Sequence, residues 1–143
     1  MGVYDLRFCF IIYLYKKFYL MDNSEIIKKL VEAQIQLKFL HWQTKSYAKH
    51  QAYGGLYSDL DELIDGFVEA CMGKHGRPSY QGGYTIQGQD ISEISIQSFV
   101  DGVCVFLIQL TEVFDPQEDS DLLNLRDEML HGFNKLKYLL TLE

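Results

Sequence analysis

Two histidines, His41 and His50, stand nine residues apart on either side of a Lys45-Ser46 turn signal, and two carboxylates, Asp65 and Glu69, follow at a four-residue spacing. Imidazole and carboxylate together make a ligand set for a transition-metal ion. Residues four apart on a helix share one face, so Asp65 and Glu69 would present their oxygens together, with Asp61 one such step before them. The chemistry to expect is metal binding.

One chain cannot bring all four groups to one ion. Asp65 lies fifteen residues after His50, which places it ~22 Å down a helix at ~1.5 Å per residue. His41 folds back beside His50 at the corner. A twofold dimer with antiparallel second helices would carry one chain's histidines to the partner's carboxylates, and such an isologous contact generates two equivalent sites.

The elements that must position these groups show as apolar stripes. The first helix is expected over residues 23–44, with Asp22 and Glu25 as a capping box and Ile26, Leu30, Ala33, Leu37 and Leu40 at helical spacing. Ser46 caps a second helix over residues 47–72, striped by Tyr53, Leu56, Leu60, Leu63, Phe67 and Cys71, and ended by Gly73 and Gly76-Arg77-Pro78. Residues 77–91 form a long Gly/Gln/Tyr-rich loop. A third helix over residues 94–114, with Ile96, Phe99, Val103, Leu107 and Leu110 on its inward side, is apolar nearly all round at VCVFLIQL, which predicts deep burial or an oligomer contact. Asp115-Pro116-Gln117-Glu118 starts a fourth helix running to residue 142, with Leu122, Leu125, Met129, Phe133, Leu136 and Leu140 inward. Four helices joined by one tight and one longer connection define an all-α four-helix bundle.

Composition bounds the rest. A chain of 143 residues with 48% apolar and 14% aromatic content is one globular domain rather than a disordered segment. A net charge of −7 and no basic tail argue against nucleic acid as a partner. Cys9, Cys71 and Cys104 form neither a disulfide framework nor a zinc spacing, which favours a reducing, cytoplasmic interior and an inert packing role. The apolar run over residues 8–15 is too short to span a bilayer, so no transmembrane segment is expected. Met21, followed by a helix cap, reads as a fresh start. Residues 1–20 are therefore expected to be an N-terminal arm or upstream extension, and residues 21–143 the bundle.

LHWQTKS, then His50, then LYSDLDELIDGFVEA resembles the ferroxidase region of the Dps proteins, the miniature ferritins. The shared pattern is a His-Trp pair near the end of the first helix, a second His after the turn, and Asp-x-x-x-Glu farther along the second helix. The resemblance is specific over residues 37–78 and architectural beyond them. It implies a ferritin-like bundle with a crossover loop between the second and third helices. It also implies His41, His50, Asp65 and Glu69 as iron ligands, Trp42 as the aromatic beside the site, and Fe(II) oxidation by peroxide or dioxygen as the activity. A homo-oligomer with twofold contacts, extending to a closed shell, follows from the same likeness. The chain is also similar to short Dps-like proteins of phages and large DNA viruses, which implies host cytoplasm or virion. It departs from the usual pattern in a shorter His-to-His spacing and in Gly54, where many members carry a carboxylate four residues after the second His. That departure weakens a second metal position.

Blander readings stand beside this one. His41 reads equally as a corner histidine bonded to backbone, His50 as an exposed first-turn residue, and Asp65 with Glu69 as solvated helix charges. Glu128 and His131 fit the Glu-x-x-His metal spacing, but the stripe of the fourth helix turns them to its edge, and His75 reads as loop. The rival function is a non-enzymatic helical assembly protein, of viral or other origin, that keeps the bundle and a degraded metal site. DNA compaction lacks the basic residues it needs.

Overall fold

A computed structural model describes residues 22–142. The arm assigned to residues 1–20 lies outside the described residues. The fold is all-helical, with no strand among the described residues: α1 Asn23–Gln43, α2 Tyr47–His75, α3 Ile96–Gln109, a one-turn 3-10 helix Leu110–Glu112, and α4 Ser120–Leu139. No helix among them is long and apolar enough to cross a membrane.

The stripe of α1 is buried as its spacing requires, with Ile26, Leu30, Ala33, Leu37 and Leu40 all in the core. Its N-terminus differs from expectation. Asp22 makes no side-chain cap bond; its Oδ2 instead accepts the hydroxyl of Ser24 at 2.6 Å. Leu40 O accepts the Thr44 N–H and closes the helix. Ser46 then caps α2, its Oγ accepting the Lys49 N–H at 3.3 Å, so α1 and α2 form a hairpin with a three-residue corner, 44–46.

Helix α2 runs through Gly73 to His75, and Gly76 at φ 82° ends it in a conformation that suits glycine. The extra turn is held from across the molecule. Lys74 Nζ lies 2.8 Å from Asp121 Oδ1, and His75 Nε2 lies 2.9 Å from Asp119 Oδ1, so His75 belongs to a helix rather than a loop. Its stripe of Tyr53, Leu56, Leu60, Phe67 and Cys71 is buried, with Leu63 packed partly against the core.

Helix α3 is shorter than its apolar run predicts. Ser95 caps it, with Oγ accepting the Ser98 N–H at 3.2 Å. At the other end Arg126 from α4 donates Nη1–H to Leu107 O at 2.9 Å and to Thr111 Oγ1 at 2.7 Å, a cation set against a helix C-terminus. Leu107 and Leu110 reach the core, but the expected inward positions Phe99 and Val103 are only half-buried, while Val105 and Ile108 lie about half exposed on the outer face. Pro116 does not begin α4. Asp115 Oδ1 accepts the N–H groups of Gln117 and Glu118 in a closed turn, and α4 starts four residues later than the Pro116 signal would put it, with Asp119 before it.

Residues 76–95 join α2 to α3 and are strapped to α1 by two glutamines seven residues apart. The buried Gln36 donates Nε2–H to Gln89 O at 3.0 Å and accepts the Gln89 N–H at 2.8 Å. Gln43 accepts the Ile91 N–H at 2.8 Å and donates to the Asp90 carboxylate.

Candidate metal centre

His41 sits in the last turn of α1 and His50 in the first turn of α2. The corner folds their rings into a stack, with centroids 3.8 Å apart and planes inclined 20°. Each ring bonds the other's backbone. His41 Nδ1 lies 2.9 Å from His50 O, and His50 Nδ1 lies 2.8 Å from His41 O. A carbonyl oxygen only accepts, so both Nδ1 atoms carry the proton, and both Nε2 atoms keep a lone pair when the rings are neutral. The bond from His50 also satisfies a terminal carbonyl of α1 that has no intrahelical partner.

The corner histidine bonded to backbone is therefore present twice, and it excludes nothing. Bonding at Nδ1 is how second-shell groups orient an imidazole whose Nε2 binds a metal. Neither Nε2 has a hydrogen-bond partner among the described residues.

Gly54, four residues after His50, is packed against this pair. A Cβ at residue 54 would lie 2.7 Å from both Cε1 and Nδ1 of His41, closer than non-bonded carbon tolerates. The neighbouring Gly55 has nothing within 4 Å of the same position.

Around the corner lies an exposed cation–aromatic cluster. Lys38 Nζ sits 4.0 Å from the Tyr57 ring centroid and 5.3 Å from that of Trp42. Trp42 is 64% and Tyr47 78% exposed, so the tryptophan stands at the surface beside the histidines rather than in the core.

Asp65 and Glu69 are exposed on α2 and make no hydrogen bond or ion pair among the described residues, whereas Asp61 accepts the Gln34 amide at 3.1 Å. The helix leaves the histidine pair and the two carboxylates apart, as their spacing requires. No group of three or more His, Cys, Asp or Glu among the described residues could hold a metal ion within the single chain. Glu128 and His131 are exposed and line an open groove of about 540 Å³ with Asp59, Glu62 and Asp127. Cys71 and Cys104 are free and buried, and burial pushes both thiols up from their ordinary range, which suits inert packing.

Sequence reasoning found the histidines but not the reciprocal backbone bonds, and it took Gly54 as a lost ligand. The signal that could have found its packing role is its position one helical turn after His50, beside the carbonyl that another side chain reaches from outside the helix.

The chain belongs to DUF5856, a family of unknown function, which it matches over residues 41–140. That span contains His41, His50, Asp65 and Glu69. A relative in Enterobacteria phage T4, the uncharacterized 14.6 kDa protein in the mobD-ri intergenic region, is 31% identical over 122 residues, covering 84% of this chain and 88% of its own length. No solved structure matches the chain.

Proposed function

We propose that this protein is a Dps-like iron-binding protein that oxidises Fe(II) at sites shared between two subunits. The observation that carries the reading is the reciprocal latch of His41 and His50, which leaves two lone-pair nitrogens on one rigid corner. Asp65 and Glu69, exposed and unpaired among the described residues, supply the carboxylates from the second copy of the chain. Two neutral imidazoles and two carboxylates match Fe(II) and favour the ferric product by charge. Iron is the substrate. Each Fe(II) gives up one electron, and two such electrons with two protons reduce one peroxide to two waters.

The architecture supports the same reading. The end of α2 pairs with the start of α4 through His75 and Asp119, while the residues leading into α3 are strapped to the end of α1 through Gln43 and Asp90. We read residues 76–95 as a ferritin-like crossover that traverses the bundle. Val105 and Ile108, exposed on α3, offer a further contact for a larger homo-oligomer or closed shell. A phage-encoded relative favours the short, virus-borne branch of such proteins, acting in host cytoplasm or virion.

The test is anaerobic Fe(II) titration of the assembled protein, followed by peroxide or dioxygen. Saturable binding and oxidation faster than in buffer are expected, both lost in His41→Ala with the helical spectrum retained. A protein that neither binds Fe(II) nor speeds its oxidation would overturn the reading.

A second reading has its own observation. Both imidazoles already have backbone partners, so the pair could serve only as a corner clasp in a non-enzymatic assembly protein. That reading predicts oligomers indifferent to chelator and to loss of either Nε2.

A further inference from the structure

We propose that Gly54 is the positioning residue of the histidine pair: its missing side chain is the seat of the His41 ring. The proposal rests on the reading of His41 and His50 as metal donors, but its structural half stands without metal.

Any group that bonds His50 O from outside α2 must pass beside residue 54, because residues four apart stack on one helix face. His41 does so, with Nδ1 at 2.9 Å from that oxygen. A Cβ at residue 54 would meet Cε1 and Nδ1 of His41, both at 2.7 Å. These are the atoms that make the bond and flank the donor nitrogen, so the clash falls on the latch itself. The ring is also stacked on His50, its centroid 3.8 Å from that of His50, so a shift away from residue 54 disturbs that stack as well as the bond. With the Nδ1 bond lost, nothing keeps the His41 proton on Nδ1, and Nε2 loses its fixed lone pair.

Gly54 thus replaces a ligand with a support. A carboxylate there would add an oxygen donor at the expense of the nested pair. The corner commits to two nitrogens and no oxygen of its own, so its ligand is a divalent transition ion of borderline softness whose oxygen donors come from elsewhere.

Gly55 is the internal control, since an alanine there has open space and the same helix context. Nitrogen-15 NMR of the metal-free protein should show both rings in the Nδ1–H form with slowly exchanging imidazole protons. Gly54→Ala should abolish that signature for His41, and Gly55→Ala should keep it. With Co(II) as probe, Gly54→Ala should weaken binding about 10- to 100-fold, as loss of an orienting contact does, while Gly55→Ala leaves it unchanged. Because Gly54→Ala can disturb folding, the double variant His41→Ala/Gly54→Ala is included. With the ring removed, Gly54→Ala should lower the thermal midpoint no further than His41→Ala alone does. Retention of both Nδ1–H signals in Gly54→Ala, or a loss from Gly54→Ala that persists in the His41→Ala background, overturns the proposal. A wild type that keeps both signals but binds no Co(II) upholds the seat and overturns only the metal reading.

Discussion

Gln36 reads the backbone of Gln89 as a strand would, donating to its carbonyl at 3.0 Å and accepting its N–H at 2.8 Å. Gln36 is 5% exposed, while Gln89 lies at the surface, so the bonds tie an exposed strap to a buried amide. Gly88 lets the strap lie flush, since a Cβ there would meet the Phe39 ring.

Gln36→Ala strips both partners from Gln89 at once. Gln89 is exposed and water can rebond it, so the loss is that of ordinary hydrogen bonds, about 0.5–1.5 kcal/mol each. The expected result is a loss of stability in that range in urea unfolding, with faster chymotryptic cleavage at Tyr80 and Tyr84 in the adjoining loop. Unchanged stability and cleavage would mean that the strap carries no weight.

The second anchor of the loop is acid-sensitive. Ser92 holds the Asp90 carboxyl below its ordinary range through its hydroxyl and N–H, and Gln43 adds to this. A depressed folded value means the unfolded chain binds the proton first. The stabilisation is therefore full above the ordinary aspartate value and is lost as pH falls through the folded one. The stability difference between wild type and Asp90→Asn, read as urea midpoints, should hold constant from neutral pH down to the ordinary aspartate range and shrink only on further acidification.

Mixing His41→Ala with Asp65→Ala tests whether the site is shared. Neither variant alone holds a complete site. Each heterodimer regains one of its two sites, so random exchange restores about a quarter of wild-type iron sites in a twofold dimer. No recovery after subunit exchange would place the four residues in separate roles.

Arg126 reaches from α4 to the end of α3, with its Nε–H also bonded to Asp127 at 2.7 Å. Arg126→Met keeps much of the aliphatic packing and removes the charge-assisted bonds, each worth about 1.5–3 kcal/mol. A fall in stability of about that size is expected in thermal or urea unfolding, with helicity retained.

The stripes of α1 and α2 were legible because spacing alone sets which side of a helix meets the core, and the Ser46 corner because its oxygen has only one use there. The ends of α2 and α4 were not. Gly73 looked like a stop, but Lys74 and His75 find carboxylates on a segment over forty residues away, a stabilisation that no local signal contains. The uniform apolarity of α3 hides its orientation: Val100 and Cys104 are core, and Phe99 and Val103 pack half-buried beside them. At the candidate site the residue types were readable. The tautomer and the seat were not, because both depend on how closely two helices approach at one corner.

Trp42 is the single tryptophan of the chain, and it stands 64% exposed beneath Lys38 and beside the histidine corner. The protein therefore carries its own fluorophore where a second copy would arrive. Dilution should move its emission to the red as indole is returned to water, giving an association constant without any added label.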